Sequence, residues 1–502
     1  MSTGWDDAAA VRPSDVPTDE EQLAALGYTS EFKREMSPWA NFALGFTYLS
    51  PVVGIYTLFA FALATAGPPM FWSLVIVGVG QFLVALVFGE IVSQYPVAGG
   101  IYPWARRLWG RRYAWMTGWV YLFALLATIA GVAYGAGPYL GQLLDFVPGT
   151  GTTVACALII LGLALAINLL GTKWLAYAAI LGFTAELLGA LAVGGWLLLT
   201  QRHHGLGVLV DSFGAGEPGD YTAAFFAAGL IGIFQYYGFE ACGDVAEEVP
   251  DPTRRIPKAM RMTIYVGGAA AMFVCLSLIL AVEDFGAVID GTDADPVTTV
   301  LNEAFGVGGT RVVLAVVLLS FLSCVLSLMA AASRLMYSYA RDGMIVGSAS
   351  LRRIMPSTHV PLNAMIVAAV VPAVIVLVSV VSTNALTQII SFATLGIYLG
   401  FQMVVLAALR ARFLGWRPSG AFRLGAWALP VNIAALVYGV GAMLNIAWPR
   451  TPDVPWYDNW IVALGTAVVL GLGWLYLAVG RPHERSDAAH GDAVPTSSRT
   501  GA

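Results

Sequence analysis

The stretch AFFAAGLIGIFQYYGFEACGDVAEEVPDPTRRIP, residues 224–257, decides the fold. Its first half reads as a membrane helix, but Gly238 and Glu240 interrupt it at bilayer depth. The chain then enters a loop carrying Asp244, Glu247, Glu248, Asp251, Arg254 and Arg255. A bilayer core offers no water to backbone N–H and C=O groups, so a broken helix there must line protein or a wet cavity. An intramembrane carboxylate marks a functional site by default. Broken helices at membrane depth hold the substrate in secondary transporters, although a kinked structural helix also fits this segment taken alone.

Composition widens the reading. The 502 residues are 58% hydrophobic and only 11% charged, whereas soluble domains carry about 25% charged residues. Apolar runs long enough to cross the hydrocarbon core fall near 40–64, 71–93, 115–141, 152–171, 174–199, 222–242, 262–282, 309–332, 362–382, 385–409, 428–448 and 457–479. The expectation is an all-α membrane protein of twelve transmembrane helices. The third, with Gly131, Gly135 and Gly137, is expected to have soft ends. With the N-terminus in the cytoplasm, only Arg202, Arg311 and Arg450 among the basic residues fall outside. Both termini are therefore expected in the cytoplasm, in a multi-pass protein of the plasma membrane.

Residues 1–39 form the expected cytoplasmic N-terminal segment, 40–409 a ten-helix core and 410–480 two further helices. The tail 481–502 is polar and expected to be disordered. The first residues, acidic and polar up to Lys33, lack the charged n-region and short apolar core of a cleavable signal peptide. Cys156, Cys242, Cys275 and Cys324 lie inside apolar runs and the histidines are scattered, so neither a disulfide framework nor a metal site is expected. No cofactor or nucleic-acid partner is expected, and the oligomeric state stays open.

The first helix, NFALGFTYLSPVVGIYTLFAF (41–61), carries a second interruption. Pro51 removes a backbone donor and disfavours a helical Ser50, and Gly54 follows one turn later. Gly/Pro-interrupted helices at corresponding places in two halves point to a site built on inverted repeats. Proline and glycine are also simply common in membrane helices. The groups freed near Ser50–Gly54 and Phe234–Gly238 would make a polar cradle. Half-helix N-termini favour an anion there, and C-terminal carbonyls an ammonium.

Four ordered stretches carry a family likeness: LAALGYTSEFKREMSPWANFALGF (23–46), GPPMFWSLVIVGVGQFLVALVFGEIVSQYPVAGGIYPWARRL (67–108), GFEACGDVAEEVPDPTRRIPKAM (238–260) and SRLMYSYARDGMIV (333–346). Through them the chain resembles the amino acid–polyamine–organocation (APC) transporters, most closely the amino acid/choline branch. The resemblance implies a five-plus-five inverted repeat followed by two extra helices, with helices 1 and 6 broken. It implies amino acid or amine transport by alternating access, coupled to protons or run as exchange. It places substrate against Ser50, Val52, Val53 and Gly54 of the first helix and Phe234, Gln235, Tyr237 and Gly238 of the sixth. Many relatives carry Gly-Ser-Gly, whose amides hold the substrate carboxylate, where this chain has Val52-Val53-Gly54 and keeps only the last glycine. Phe234 aligns with the aromatic that closes over substrate, and the carbonyls of Phe234, Gln235 and Tyr237 with those that receive its ammonium.

Glu186 lies mid-way along the fifth helix, where several relatives place a lysine facing the first and eighth helices. A carboxylate there reads as a proton carrier, a counter-charge for a cationic substrate, or an acid hydrogen-bonded between helices. Glu240 is expected to orient the unwound backbone, pair with a cation or face the inner vestibule. Glu90 is expected to brace the following Pro–Gly turn. Glu247, Glu248, Arg254, Arg255, Arg334, Arg341 and Asp342 read either as an ion-pair latch or as a solvated charge run. Ser320, Ser323 and Ser327 suit a sodium site or close helix packing. Residues 19–36 carry Leu23, Leu26 and Phe32 at helical spacing, as an amphipathic anchor or a plug for the inner vestibule. The leading function is a proton-coupled permease for an amino acid or small amine such as GABA or choline. An exchanger, sodium-coupled choline or polyamine uptake and a non-transporting sensor are the alternatives. An enzyme would need a cluster of His, Asp or Cys at the membrane interface, and the sequence has none.

Overall fold

In a computed structural model, residues 18–29, 31–147, 149–217, 219–381, 385–450 and 455–487 are described, and they contain helices but no strand. The N-terminal half comprises α1 (Asp19–Ala25), α2 (Pro38–Leu49), α3 (Pro51–Ala66), α4 (Phe71–Gln94), α5 (Ile101–Trp109), α6 (Arg111–Leu143), α7 (Thr150–Leu169) and α8 (Thr172–Thr200). A second run holds α9 (Tyr221–Ala228), α10 (Leu230–Gln235), α11 (Ala241–Asp244), α12 (Pro252–Met262) and α13 (Gly268–Ala281). The remainder is α14 (Phe285–Ile289), α15 (Pro296–Arg341), α16 (Ser348–Leu351), α17 (Leu362–Val378), α18 (Ala385–Phe413), α19 (Ala428–Ala447), α20 (Trp456–Asn459) and α21 (Ile461–Gly480). Among the described residues, ten helical stretches are long and apolar enough to cross a membrane, and Tyr221–Gln235 and Leu362–Val378 are shorter apolar helices.

Burial sorts these helices into centre and flank. The most apolar window of α6 is 83% buried and that of α21 only 17%, so α6 runs through the bundle and α21 along its side. Side chains such as Val437, Val468 and Val479 are accordingly exposed, as lipid-facing residues should be. α6 packs against α15 and α18, and α2 and α3 lie against α8, α12 and α15. Small residues set these distances: a Cβ on Gly182 of α8 would lie 2.5 Å from the Ser323 hydroxyl of α15.

Both interruptions are present, each narrower or later than expected. The first is a single residue, Ser50, at φ 39° and ψ 94°. α3 starts at once with Pro51, so Val52 to Gly54 are helical rather than unwound. The reason is chemical: proline suits the first helical position, where no donor is missed. The second break begins after Gln235, leaving Phe234 and Gln235 helical, and Gly238 adopts φ 117°. The two breaks face each other, with a Cβ on Gly238 falling 2.6 Å from the Leu49 nitrogen.

Other expectations also change. α6 is one continuous helix of 33 residues through Gly131 to Gly137, with Pro138 inside it. The segment 283–308, which lies between two of the expected spans, contains α14 and the start of α15, which turns at Gly306 (φ 63°). The 2–3 connection folds as α5, and the span after the sixth helix contains a π-helical turn at Thr263–Gly267. Among its described residues the N-terminal segment is helical over α1 and not helical from Gly27 to Ser37. Of the expected disordered tail, residues 488–502 lie outside the described residues.

Gly238→Ala should be costly, because a non-glycine residue at φ 117° is strained and the new methyl meets backbone. A loss of about 1–3 kcal/mol from the backbone alone is expected, read as a lowered Tm in detergent. Gly441→Ala, where nothing lies within 4 Å, should leave Tm unchanged or raised.

Candidate functional site

The first break is held together by Glu186. The Ser50 hydroxyl donates to Glu186 Oε1 at 2.6 Å and the Val52 amide donates to the same oxygen at 2.9 Å. The remaining first-turn amides of α3 are used as well, Val53 N–H on Ser50 Oγ at 3.3 Å and Gly54 N–H on Ser50 O at 3.0 Å. A carboxylate at a helix N-terminus is favoured by the orphan donors and the dipole there. Glu186 is fully buried and its Oε2 has no hydrogen-bond partner. Glu186 thus hydrogen-bonds from α8 across to the first helix.

Gln235 ties the second break to the first. Its Nε2 donates to the carbonyls of Leu49 at 3.2 Å and Ser50 at 3.4 Å. It thereby answers two of the carbonyls that end α2. Glu240 folds back on the unwound segment, accepting from the Gly238 amide at 2.8 Å and the Tyr121 hydroxyl at 2.9 Å. Its geometry is that of a backbone brace, with no basic partner among the described residues. Since α10 ends at Gln235, its last carbonyls lack intrahelical donors, as at any helix C-terminus.

Between the breaks lies a small closed pocket lined by Tyr48, Val53, Gly54, Thr128, Phe234 and Tyr237, among others. Its free volume is about 10 Å³, enough for about one water, so the site is shut. The rings of Phe234 and Tyr237 meet edge-on, centroids 5.6 Å apart. Val52, expected here, instead lines an apolar hollow of about 520 Å³ between α3, α8, α13 and α15. That hollow opens to the flank, where Val312 is exposed, so it faces the lipid side of the bundle. Tyr48, Thr128 and Cys324 line the shut pocket and were not read from the sequence. Their only signal was a polar atom or thiol in an apolar helix, which is common in membrane cores.

The arginine-rich face below the pocket is sealed by protein. Arg334 donates from Nε to Glu248 Oε1 at 2.8 Å and from Nη2 to Oε2 at 3.2 Å, and both side chains are fully buried. Arg341 Nη1 donates to Glu247 Oε1 at 2.9 Å, and that oxygen also accepts from the Ala98 amide at 3.0 Å. The N-terminal segment is stitched over this network. The Arg34 Nη1 donates to Val249 O at 2.8 Å, the Met36 amide to Glu248 O at 3.1 Å, and the Tyr337 hydroxyl to Glu31 at 2.8 Å. Tyr28 donates to Asp342 at 3.1 Å beneath the Arg341 guanidinium, 4.1 Å from its ring centroid. The loop charges are thus a buried network in Glu247, Glu248, Arg334, Arg341 and Asp342. Arg254 and Arg255 stay outside it, exposed to solvent.

One expectation needs correction here, and the α15 serines take one of their two expected roles. Glu90 does not brace the Pro–Gly turn; it binds Arg412 and accepts from the Leu424 amide at 2.9 Å, pinning the α18–α19 connection. The turn is braced by Glu247 instead. The serines of α15 are spent on packing: Ser320 donates to Val316 O at 3.2 Å and Ser323 to Leu319 O at 2.9 Å. Ser327 pairs with Thr47 at 2.8 Å. Among the described residues no group of three His, Cys, Asp or Glu side chains is placed to hold a metal ion.

A helical bundle with a shut pocket between two interrupted apolar helices is the architecture of a membrane transporter. Residues 36–472 match the family model described as amino acid permease, and the chain belongs to that family. It is 27% identical to the amino-acid permease BAT1 homolog of Oryza sativa subsp. japonica, over 92% of this chain and 94% of the relative. It is 26% identical to the amino-acid permease BAT1 of Arabidopsis thaliana, over 91% of this chain and 94% of the relative. Among solved structures it is similar to an Eremococcus coleocola manganese transporter, crystallised with an aromatic bis-isothiourea substituted compound. The TM-score is 0.59 at 14% identity, covering 89% of this chain and 94% of that one. The likeness to that solved structure bears on the fold alone.

The docked N-terminal segment should respond to alkali. Burial, and next the Asp342 carboxylate, pushes the Tyr28 hydroxyl up to about 12. Its ordinary value is about 10, so the docked state binds this proton more tightly than the undocked one. The resulting stability, about 3 kcal/mol, is present in full below about pH 10 and is lost as pH rises through about 12. Proteolysis of the N-terminal segment should therefore accelerate across that window. Tyr28→Phe, which has no hydroxyl to ionise, should lack the transition.

Proposed function

We propose that the protein is a secondary active permease that moves an amino acid or small amine across the plasma membrane by alternating access, coupled to protons. In this reading its twelve apolar helices are twelve spans, the first ten forming a five-plus-five inverted repeat. The arginine-rich face and both termini are cytoplasmic, as the distribution of basic residues favours. Substrate lies between the two breaks, beneath Phe234.

The observation that carries the reading is the state of Glu186. It fills the N-terminus of α3, which would otherwise be open to a substrate carboxylate, because every first-turn amide of α3 is engaged. Toward a cation the site offers the unpartnered Oε2 of Glu186 and the carbonyl end of α10, where Ile233 O already accepts from the Tyr398 hydroxyl, while the pocket hydroxyls of Tyr48 and Tyr237 carry no charge. The substrate is therefore one recognised chiefly by its amine. Glu186 is also equipped to carry a proton, since Ser50 and Val52 hold Oε1 in either state while Oε2 gains or loses it. Sodium coupling finds less support, because the Ser320 and Ser323 hydroxyls donate to their own helix.

Glu186→Gln preserves size and most hydrogen bonding but cannot titrate. In proteoliposomes it should abolish accumulation driven by a pH gradient and leave exchange of labelled substrate largely intact. Retained accumulation excludes Glu186 as the carrier, and lost substrate binding identifies it as the counter-charge.

Phe234→Ala opens the wall of the shut pocket without touching either break. Uptake should fall several-fold at matched expression and membrane insertion. Wild-type uptake would remove Phe234 from the site.

A further inference from the structure

Below the brace formed by Glu240, the inner segment α11 ends in a carboxylate that the transport scheme does not use. Asp244 is fully buried, and neither of its side-chain oxygens has a hydrogen-bond partner. The seal over it is backbone and indole. The Gly99 amide donates to Asp244 O at 2.9 Å, and Gly100, at φ 39°, lies so close that a Cβ there would meet Asp244 Oδ1 at 2.6 Å. The Trp104 ring covers the adjoining turn, with a Cβ on Gly243 falling 2.7 Å from it.

The charges around Asp244 offer it no compensation. From its own segment it faces Glu240, one turn earlier, and Cys242. Tyr48 of α2 and Tyr121 of α6 lie within electrostatic reach. The cations on the neighbouring elements are committed or remote. On α15, Arg334 and Arg341 are held by Glu248 and Glu247. On α5, Arg107 donates to Leu26 O, and Arg106 has a partner of its own. On α12, Arg254, Arg255 and Lys258 are exposed, and Arg261 donates to Pro257 O and stacks on Phe422. An ionised carboxylate in such a place has neither donor nor counter-ion, and burial of that kind is resolved by neutralising the group.

We propose that Asp244 is a proton-binding site of the inner gate, holding a proton while Gly99, Gly100 and Trp104 seal it. When the seal opens, the O–H bond breaks, the proton passes to water on the arginine-rich side, and the carboxylate left behind is hydrated. Resealing requires that a proton return. The gate is then biased shut by acid on that side and open by alkali, separately from the coupling proton on Glu186. The direction of release rests on the permease reading; the protonation of the closed state does not.

The test uses the purified full chain and no substrate, so a failure of the permease reading leaves it readable. Infrared spectra at neutral pH should show protonated carboxyl absorption, and Asp244→Asn should lose one carboxyl's share of it. Asp244→Ala, which removes an unpartnered group from a dry site, should lose the same share and stands in should the asparagine variant fold poorly. Glu186→Gln reports its own share separately. Hydrogen exchange of residues 241–248, corrected for the intrinsic rate, should rise with pH in the wild type and stay flat in Asp244→Asn. A carboxyl band unchanged in both Asp244 variants, or an exchange profile equal to wild type, overturns the proposal.

Discussion

A helix interrupted inside a bilayer leaves backbone donors and acceptors that only protein can answer, and the structure is arranged around that demand. At Ser50 the strained φ of 39° costs about 1–3 kcal/mol, and it persists because the serine hydroxyl, Glu186 and Gln235 surround it. Glu186 comes from α8 and Gln235 from α10, so one break draws two further elements against α2 and α3. Gly238 then brings the second break to within contact of Leu49, which a side chain there would prevent. The pocket exists because these two defects in helical order face each other.

The same rule governs the arginine-rich face. Glu248 and Arg334 are completely buried, and removing one partner of such a pair typically costs about 3–5 kcal/mol, since the other charge is stranded. The pair is therefore stable only as a closed unit, with Thr172 also donating to Glu248. Opening that face means hydrating both charges together. The N-terminal segment ties into and beside this network, Met36 on Glu248 O, Arg34 on Val249 O and Glu31 on Tyr337. The pocket is shut above, and the face below it is stitched closed.

Several features were legible in advance for physical reasons. Hydropathy marked the apolar helices, since a bilayer-length run of such residues has no other use. Pro51 marked the first break, because the residue before proline avoids the helical region. Gly238 and Glu240 marked the second, although it begins only after Gln235, two residues past the Phe234 expected to open it. The likeness to APC transporters placed Glu186 opposite the first helix, and the structure brings it to Ser50 and Val52. The loop charges stayed ambiguous, because Glu248 and Arg255 look alike in a sequence and differ only in what covers them. Glu90 was assigned the nearest turn, whereas its partner Arg412 is 322 positions away.

Sequence alone determined the class: an apolar helical chain with two interrupted helices, of a family whose motifs run in order along it. These are local or compositional properties, set by side chains and their immediate neighbours. Only the tertiary structure decided which carboxylates are paired, which are braced and which, like Asp244, are left without a partner. It also decided that Val52 faces a flank while Val53 faces the pocket, and that the amides of α3 are already taken. Burial and pairing depend on groups brought together from distant parts of the chain, and no spacing along the sequence encodes that distance.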